Sequence, residues 1–199
     1  MGRSKRMSTG PAMPADTAAT PPTGAPGVAD EPEVAEQPLY AGRLDPFRGK
    51  SLAQKVQELA AREEIRELIA TYAHRVAHGQ PIAGLFTGDG VFINARPGQA
   101  TSESRGRAEL EARFGSRGHE TGGPLPMIHN QIIQLDSDEG RGICSNELRI
   151  TENGRSIIAS AWYEDRFRRE NGRWLFAERK VTFFHWVSIQ EGWTAPAAK

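Results

Sequence analysis

The sequence predicts an α+β domain behind a long N-terminal tail, and three observations carry that reading. Over residues 51–79, and again over 106–114, apolar residues recur with the period of a helix, about 3.6. From residue 126 the period falls to about 2, in four strand-like runs. The turns between those runs, "DSDEG", "TENG" and "ENG", hold the Asn, Asp and Gly that tight hairpins need. Helices first and consecutive strands afterwards make an α+β plan, with the helices packed on one face of an antiparallel meander.

Residues 1–45 are rich in Pro, Ala, Gly and Thr and nearly empty of large apolar groups. Such a segment buries too little surface to offset its ordering entropy, so it is expected to be disordered. It starts basic (Arg3, Lys5, Arg6) and turns acidic (Asp30, Glu31, Glu33, Glu36), which suits a solvated extension or a docking tail. Met7 and Met13 also allow a later start. The folded domain is expected over residues 46–190, with 191–199 a flexible end.

Within the domain, "SLAQ" has the spacing of a capping box, with Ser51 as N-cap and Gln54 reaching back. A helix follows whose inward stripe is Ile65, Leu68, Ile69, Tyr72 and Val76, and Gly79 and Pro81 end it. "PIAGLF" reads as a short helix or turn carrying Leu85 and Phe86 inward. "GVFINA" is a short strand, and "GRAELEARF" a second helix with Leu110 and Phe114 on one side. The runs "PMIHNQIIQL", "GRGICSNELRI", "RSIIASAWYEDRFRR" and "RWLFAERKVTFFHW" are the four strands.

Charge and composition exclude several classes of function. The chain of 199 residues carries 25 basic and 25 acidic side chains, so no overall field draws it to nucleic acid or an anionic membrane. The basic cluster "RFRRENGRW" is interrupted by acids and reads as a solvated hairpin tip, not a single-strand binding groove. A single cysteine, Cys144, rules out an internal disulfide framework or a cysteine-rich zinc site. No apolar run approaches the roughly 18 residues of a membrane span. The start has no apolar signal region, and Arg6 breaks the myristoylation pattern. A cytoplasmic protein is expected.

Four segments, "REEIRELIATYA", "LFTGDGVF", "IHNQIIQLDSDEGRGICSNEL" and "YEDRFRRENGRWLFAERKV", resemble the SnoaL-like family of the nuclear-transport-factor-2-like superfamily. The resemblance spans about residues 52–188 and includes relatives of scytalone and bile-acid dehydratases and of polyketide cyclases. It implies a cone: a curved antiparallel sheet closed by N-terminal helices around an apolar pocket. It also implies a small hydrophobic ligand, no cofactor, and association as a homodimer through the outer face of the sheet. Fold alone does not assign activity, because this cone serves many chemistries.

The candidate site residues follow from alternation and from the resemblance together. His129 is expected to share an inward face with Met127, Gln131 and Ile133, and family dehydratases use a strand histidine of this kind as general base. Tyr72, on the inward helical stripe, matches a tyrosine of bile-acid dehydratases and suits hydrogen-bond donation to an oxyanion. Ala77 stands where family dehydratases carry the aspartate that orients and charges the histidine. Asn146 and Tyr163, polar groups on otherwise apolar strand faces, are expected to line the pocket with Phe86 and Ile133. Asp165 and Arg179 read as a structural cross-strand ion pair, with Asp165 as an alternative acid or base. His74 and His78 fall on the wet face of the helix with Glu63 and Glu67, where the helix dipole accounts for them better than a metal does.

Two functions stay open at this point. One is a cofactor-independent lyase, isomerase or cyclase acting on a small ring compound, with His129 as base and Tyr72 as donor. The other is a binding or accessory protein that keeps the cone without the chemistry, motivated by Ala77.

Overall fold

The computed structural model describes residues 38–41, 45–115 and 123–190. The expected disorder of most of the tail, and of residues 191–199, lies outside the described residues. A 3-10 turn at Leu39–Ala41 packs against the sheet, so chain belonging to the folded unit begins within what the composition marked as tail.

The first helix, α1 (Leu52–Ala77), starts at the predicted capping box: Ser51 Oγ accepts from the Gln54 N–H at 3.3 Å, and Gln54 Oε1 accepts from the Ser51 N–H at 2.8 Å. Its stripe of Ile65, Leu68, Ile69 and Tyr72 is buried, and Val76 is half-buried. The His78 N–H closes on the His74 carbonyl, and Gly79 then takes a φ of 62°, the left-handed conformation that ends a helix without a Cβ clash. Arg62 ties the helix to the sheet: its guanidinium pairs with Glu58 and donates to the Ile133 carbonyl. No helix among the described residues is long and apolar enough to cross a membrane.

Six strands follow: β1 (Phe86–Ala95), β2 (Ser102–Arg105), β3 (Leu125–Asp136), β4 (Glu139–Glu152), β5 (Arg155–Glu170) and β6 (Arg173–Ser188). The second helix, α2 (Gly106–Phe114), lies between β2 and β3 and packs on β1. β3 to β6 form the predicted meander. Two of its turns are the two-residue pairs Asn153-Gly154 and Asn171-Gly172, all with φ between 51° and 76°, as type I′ hairpins require. The strand order is β2-β1-β6-β5-β4-β3. Every pair is antiparallel except β1 with β6, which is parallel. The curved sheet is therefore mixed, because β1 comes to β6 from a helix and a turn instead of a hairpin.

One end of the cone is closed by aromatic packing. Phe86 and Phe167 both pack on Phe176, with ring centroids 5.2 Å and 5.5 Å from it, and Trp174 is buried as well. A Cβ on Gly142 would lie 2.7 Å from the Phe167 ring, so this glycine makes room for the phenylalanine. The opposite end, where β3 begins and α1 finishes, is the mouth.

Candidate functional site

Inside the cone, the register sets four inward positions of β4 and β5 side by side: Gly142 with Asp165, Cys144 with Tyr163, Asn146 with Ala161, and Leu148 with Ala159. β6 adds Arg179 opposite Asp165 and Val181 opposite Tyr163, and β1 adds Phe92 beside Arg179 and Asn94 beside Val181. Polar groups thus occupy the middle of an apolar barrel, between the phenylalanine-packed end and the mouth.

Arg179 is the centre of this layer and is fully buried. Its guanidinium carbon lies 4.1 Å from the Tyr72 ring centroid, 3.8 Å from that of Tyr163 and 4.5 Å from that of Phe176. Three desolvated cation–π contacts, each contributing about 2 kcal/mol, hold a charge that would otherwise be very costly here. Asp165 balances it, with Nε to Oδ1 at 3.3 Å. The expected cross-strand ion pair is therefore present, but in the core and wrapped in aromatic faces.

The pair is under-bonded. Both Asp165 oxygens and Arg179 Nε and Nη1 have no hydrogen-bond partner among the described residues. Burial lifts the Asp165 carboxyl from its ordinary range to about 7, against the downward pull of Arg179. Arg179 is held in its charged form: burial opposes the charge, and Asp165 together with Tyr163, Tyr72 and Cys144 outweighs it. The phenols of Tyr72 and Tyr163 share a hydrogen bond, and burial raises both above the ordinary tyrosine value. Cys144, with Sγ 3.9 Å from Arg179 Nη2, is pushed up to about 12 by burial and is no nucleophile at neutral pH.

Nearer the mouth, Asn146 is 2 % exposed, and neither its Oδ1 nor its Nδ2 has a partner among the described residues. Asn94 likewise has a buried, unpartnered Oδ1. Leaving such groups unpaired costs about 1–3 kcal/mol each. At this level β5 carries only Ala159 and Ala161 beside Asn146, while β3 sets Ile128 opposite it. The mouth itself holds a cavity of about 330 Å³ reached from Val76 and Ala77 at the end of α1, Ile82, and Arg113 and Phe114 at the end of α2. Tyr72 lies one turn of α1 below Val76, about 6 Å deeper.

The sequence-predicted residues divide among three places. Tyr72, Tyr163 and Asn146 come together in the cone, as alternation and helical periodicity indicate. Phe86 and Ile133 are buried, but in the packing of the closed end and its link to α1. His129 is a correction: it is exposed and outside the cone. Strict alternation fails because the β3–β4 register shifts between His129 and Ile132, where Asn130 takes a φ of 53°. This bulge puts Ile128 and Ile133 on the inward face together and turns His129 outward, in line with Ser145 and the half-exposed Trp162.

His74 and His78 are exposed as the helical wheel predicts, with ring centroids 6.3 Å apart. Among the described residues no group of three or more His, Cys, Asp or Glu is placed to hold a metal ion. Two residues that line the cone were not singled out from the sequence. Asn94 was legible as the second inward position after Phe92, whereas Arg113 needed the fold, since only packing brings the end of α2 to the end of α1.

Comparison with curated proteins finds no significant match. Solved structures of the same fold are numerous. An NTF2-like protein with a cystatin-like fold from Novosphingobium aromaticivorans is 24 % identical, with 67 % of this chain and 88 % of that one covered at a TM-score of 0.54. Hexachlorocyclohexane dehydrochlorinase LinA-type3 from Novosphingobium barchaimii is 18 % identical, covering 71 % and 99 % at 0.59. A single-site variant of Rv3472, a protein of unknown function from Mycobacterium tuberculosis, is 22 % identical, covering 70 % and 79 % at 0.53. At these identities the likeness establishes the fold. The SnoaL-like domain model matches residues 57–180, well over half of the chain, and the protein belongs to that family.

Proposed function

We propose that the protein binds a small, largely apolar ring compound in the mouth half of the cone, with Asn146 and Asn94 bonding its polar substituents. The observation that carries this reading is the Asn146 carboxamide, buried among apolar side chains with donor and acceptor both unpartnered. A purely structural position would favour leucine, which matches its volume without the desolvation cost. Asn146→Leu is therefore expected to raise the unfolding free energy by about 1–2 kcal/mol and weaken binding of a bicyclic aromatic probe such as naphthamide at least about tenfold. Urea denaturation and calorimetric titration read the two effects. A variant that is less stable and binds unchanged would count against the proposal.

Acid–base turnover of the bound ring is a second reading, and it rests on Asp165. A buried carboxyl lifted to about 7 exchanges a proton near neutral pH, and Tyr72 lies across Arg179 from it as a hydrogen-bond donor. The general-base role expected of His129 is not carried into this reading, because its ring lies on the outer face. That outer face, with Trp162 and Phe184 at its centre, is the surface we assign to homodimer formation.

A further inference from the structure

Asn146 leaves a donor and an acceptor open together. Its Oδ1 and Nδ2 are both enclosed, and neither has a partner among the described residues. Turning the carboxamide over exchanges the two atoms and leaves the demand unchanged. It calls for one acceptor and one donor, side by side.

The register shows what surrounds it. Cys144 and Leu148 flank it on β4, Ile128 stands opposite on β3, and Ala161 on β5. Beyond Ala161 and Ala159, β6 carries Phe183 and Trp186, packed edge to face at 5.1 Å. Between the carboxamide and this aromatic pair, β5 contributes only methyl groups. Along β4 and β5 the nearest inward charge is Asp165, beside Gly142 and so roughly 13 Å down the strand. An apolar surround with no counter-charge in this register favours a neutral partner over an ionised one.

We infer that the cone selects a neutral planar ring whose edge sets an N–H beside a carbonyl, as in a lactam, and that Asn146 reads both atoms at once. The inference rests on the ring-binding reading above and deepens it. Asn146 Nδ2 donates to the ligand carbonyl while Oδ1 accepts from the ligand N–H, closing two parallel bonds. Asparagine reads the edge of adenine in nucleic-acid grooves by the same two-point contact. A ketone, an ether or a ring nitrogen supplies an acceptor alone and leaves Oδ1 buried and unpaired. A site built on such bonds rejects the incomplete analogue strongly. Asn94 adds to the same bias, since its buried Oδ1 also calls for a donor.

Calorimetric titration of the full chain with the bicyclic lactam carbostyril, its N-methyl derivative and quinoline tests this. The first carries the complete edge, the second lacks the donor, and the third is an acceptor only. Carbostyril is expected to bind at least about tenfold tighter than either analogue. Asn146→Leu should bring the three within about twofold of one another, with quinoline binding retained. Asn146→Ala carries the same comparison with a side chain too small to overpack, should the leucine variant fail to fold. Equal affinity of the wild type for the three probes, or a lactam preference that both variants keep, would overturn selection at Asn146 and leave ring binding standing. Failure of all three probes to bind would remove both.

Discussion

At the scale of single residues, the Asp165–Arg179 pair makes a pH-dependent contribution whose sign can be worked out. Asp165 has a raised pKa in the folded state, so folding stability from this group is fully present below its ordinary range and is lost as pH rises through about 7. Glu58, Asp89 and Glu152 are shifted downward, so what they contribute is lost only on acidification. Between pH 5 and pH 8 the wild type is therefore expected to lose stability, by an amount on the order of 1–3 kcal/mol. Asp165→Asn should flatten that slope, because a carboxamide fills the space of the protonated carboxyl and does not titrate. Urea midpoints at the two pH values measure it, and a slope that survives the substitution would show that other groups set it. The identity of this pair was legible in the sequence through the family resemblance, which sets an acid and an arginine late in adjacent strands. Its burial was not, because nothing in a one-dimensional pattern shows that Tyr72, Tyr163 and Phe176 close around the guanidinium from different elements.

At the scale of elements, local signals were read well where the physics is local. The capping box of α1, the bounds of α2 and the asparagine–glycine turns of the meander all depend on neighbours within four residues. The parallel β1–β6 pairing and the short strand β2 depend on long-range packing, and they were not legible. The bulge in β3 lies between these cases. Asn130 is one of the few residue types that adopt positive φ at low cost, so the signal existed, but "MIHNQII" also fits unbroken alternation. Its consequence is large, because one extra residue moves His129 from the inner face to the outer. Asn130→Gly is expected to change stability by less than about 0.5 kcal/mol, whereas Asn130→Val, β-branched at positive φ, should cost about 1–2 kcal/mol. Equal tolerance of both in urea unfolding would mean that the backbone at this position relaxes without the bulge.

At the scale of the whole molecule, the sheet has two unlike faces, and only one is covered by helices. On the uncovered side Trp162 and Phe184, 46 % and 47 % exposed, pack edge to face at 4.7 Å. Around them lie polar and paired groups, among them Ser160 with His185 at 2.7 Å and Glu164 with Lys180 at 3.4 Å. An aromatic centre inside a polar surround is the anatomy of an interface, and a chain with zero formal net charge does not repel its own copy. Burying the exposed halves of both rings in each of two copies removes roughly 400 Å² of apolar surface, a gross gain of about 10 kcal/mol. Association itself costs about 4–15 kcal/mol, so the two rings alone only offset it. A stable dimer thus requires the contact to extend along the strands, as a two-fold axis through the sheet face would allow. The protein is accordingly expected to sediment as a dimer at micromolar concentration. Trp162→Glu combined with Phe184→Ser should produce a monomer with unchanged circular dichroism, because neither ring contributes to the buried core. A wild-type monomer at those concentrations, or a dimer that persists in the double variant, would move the self-association surface off this face.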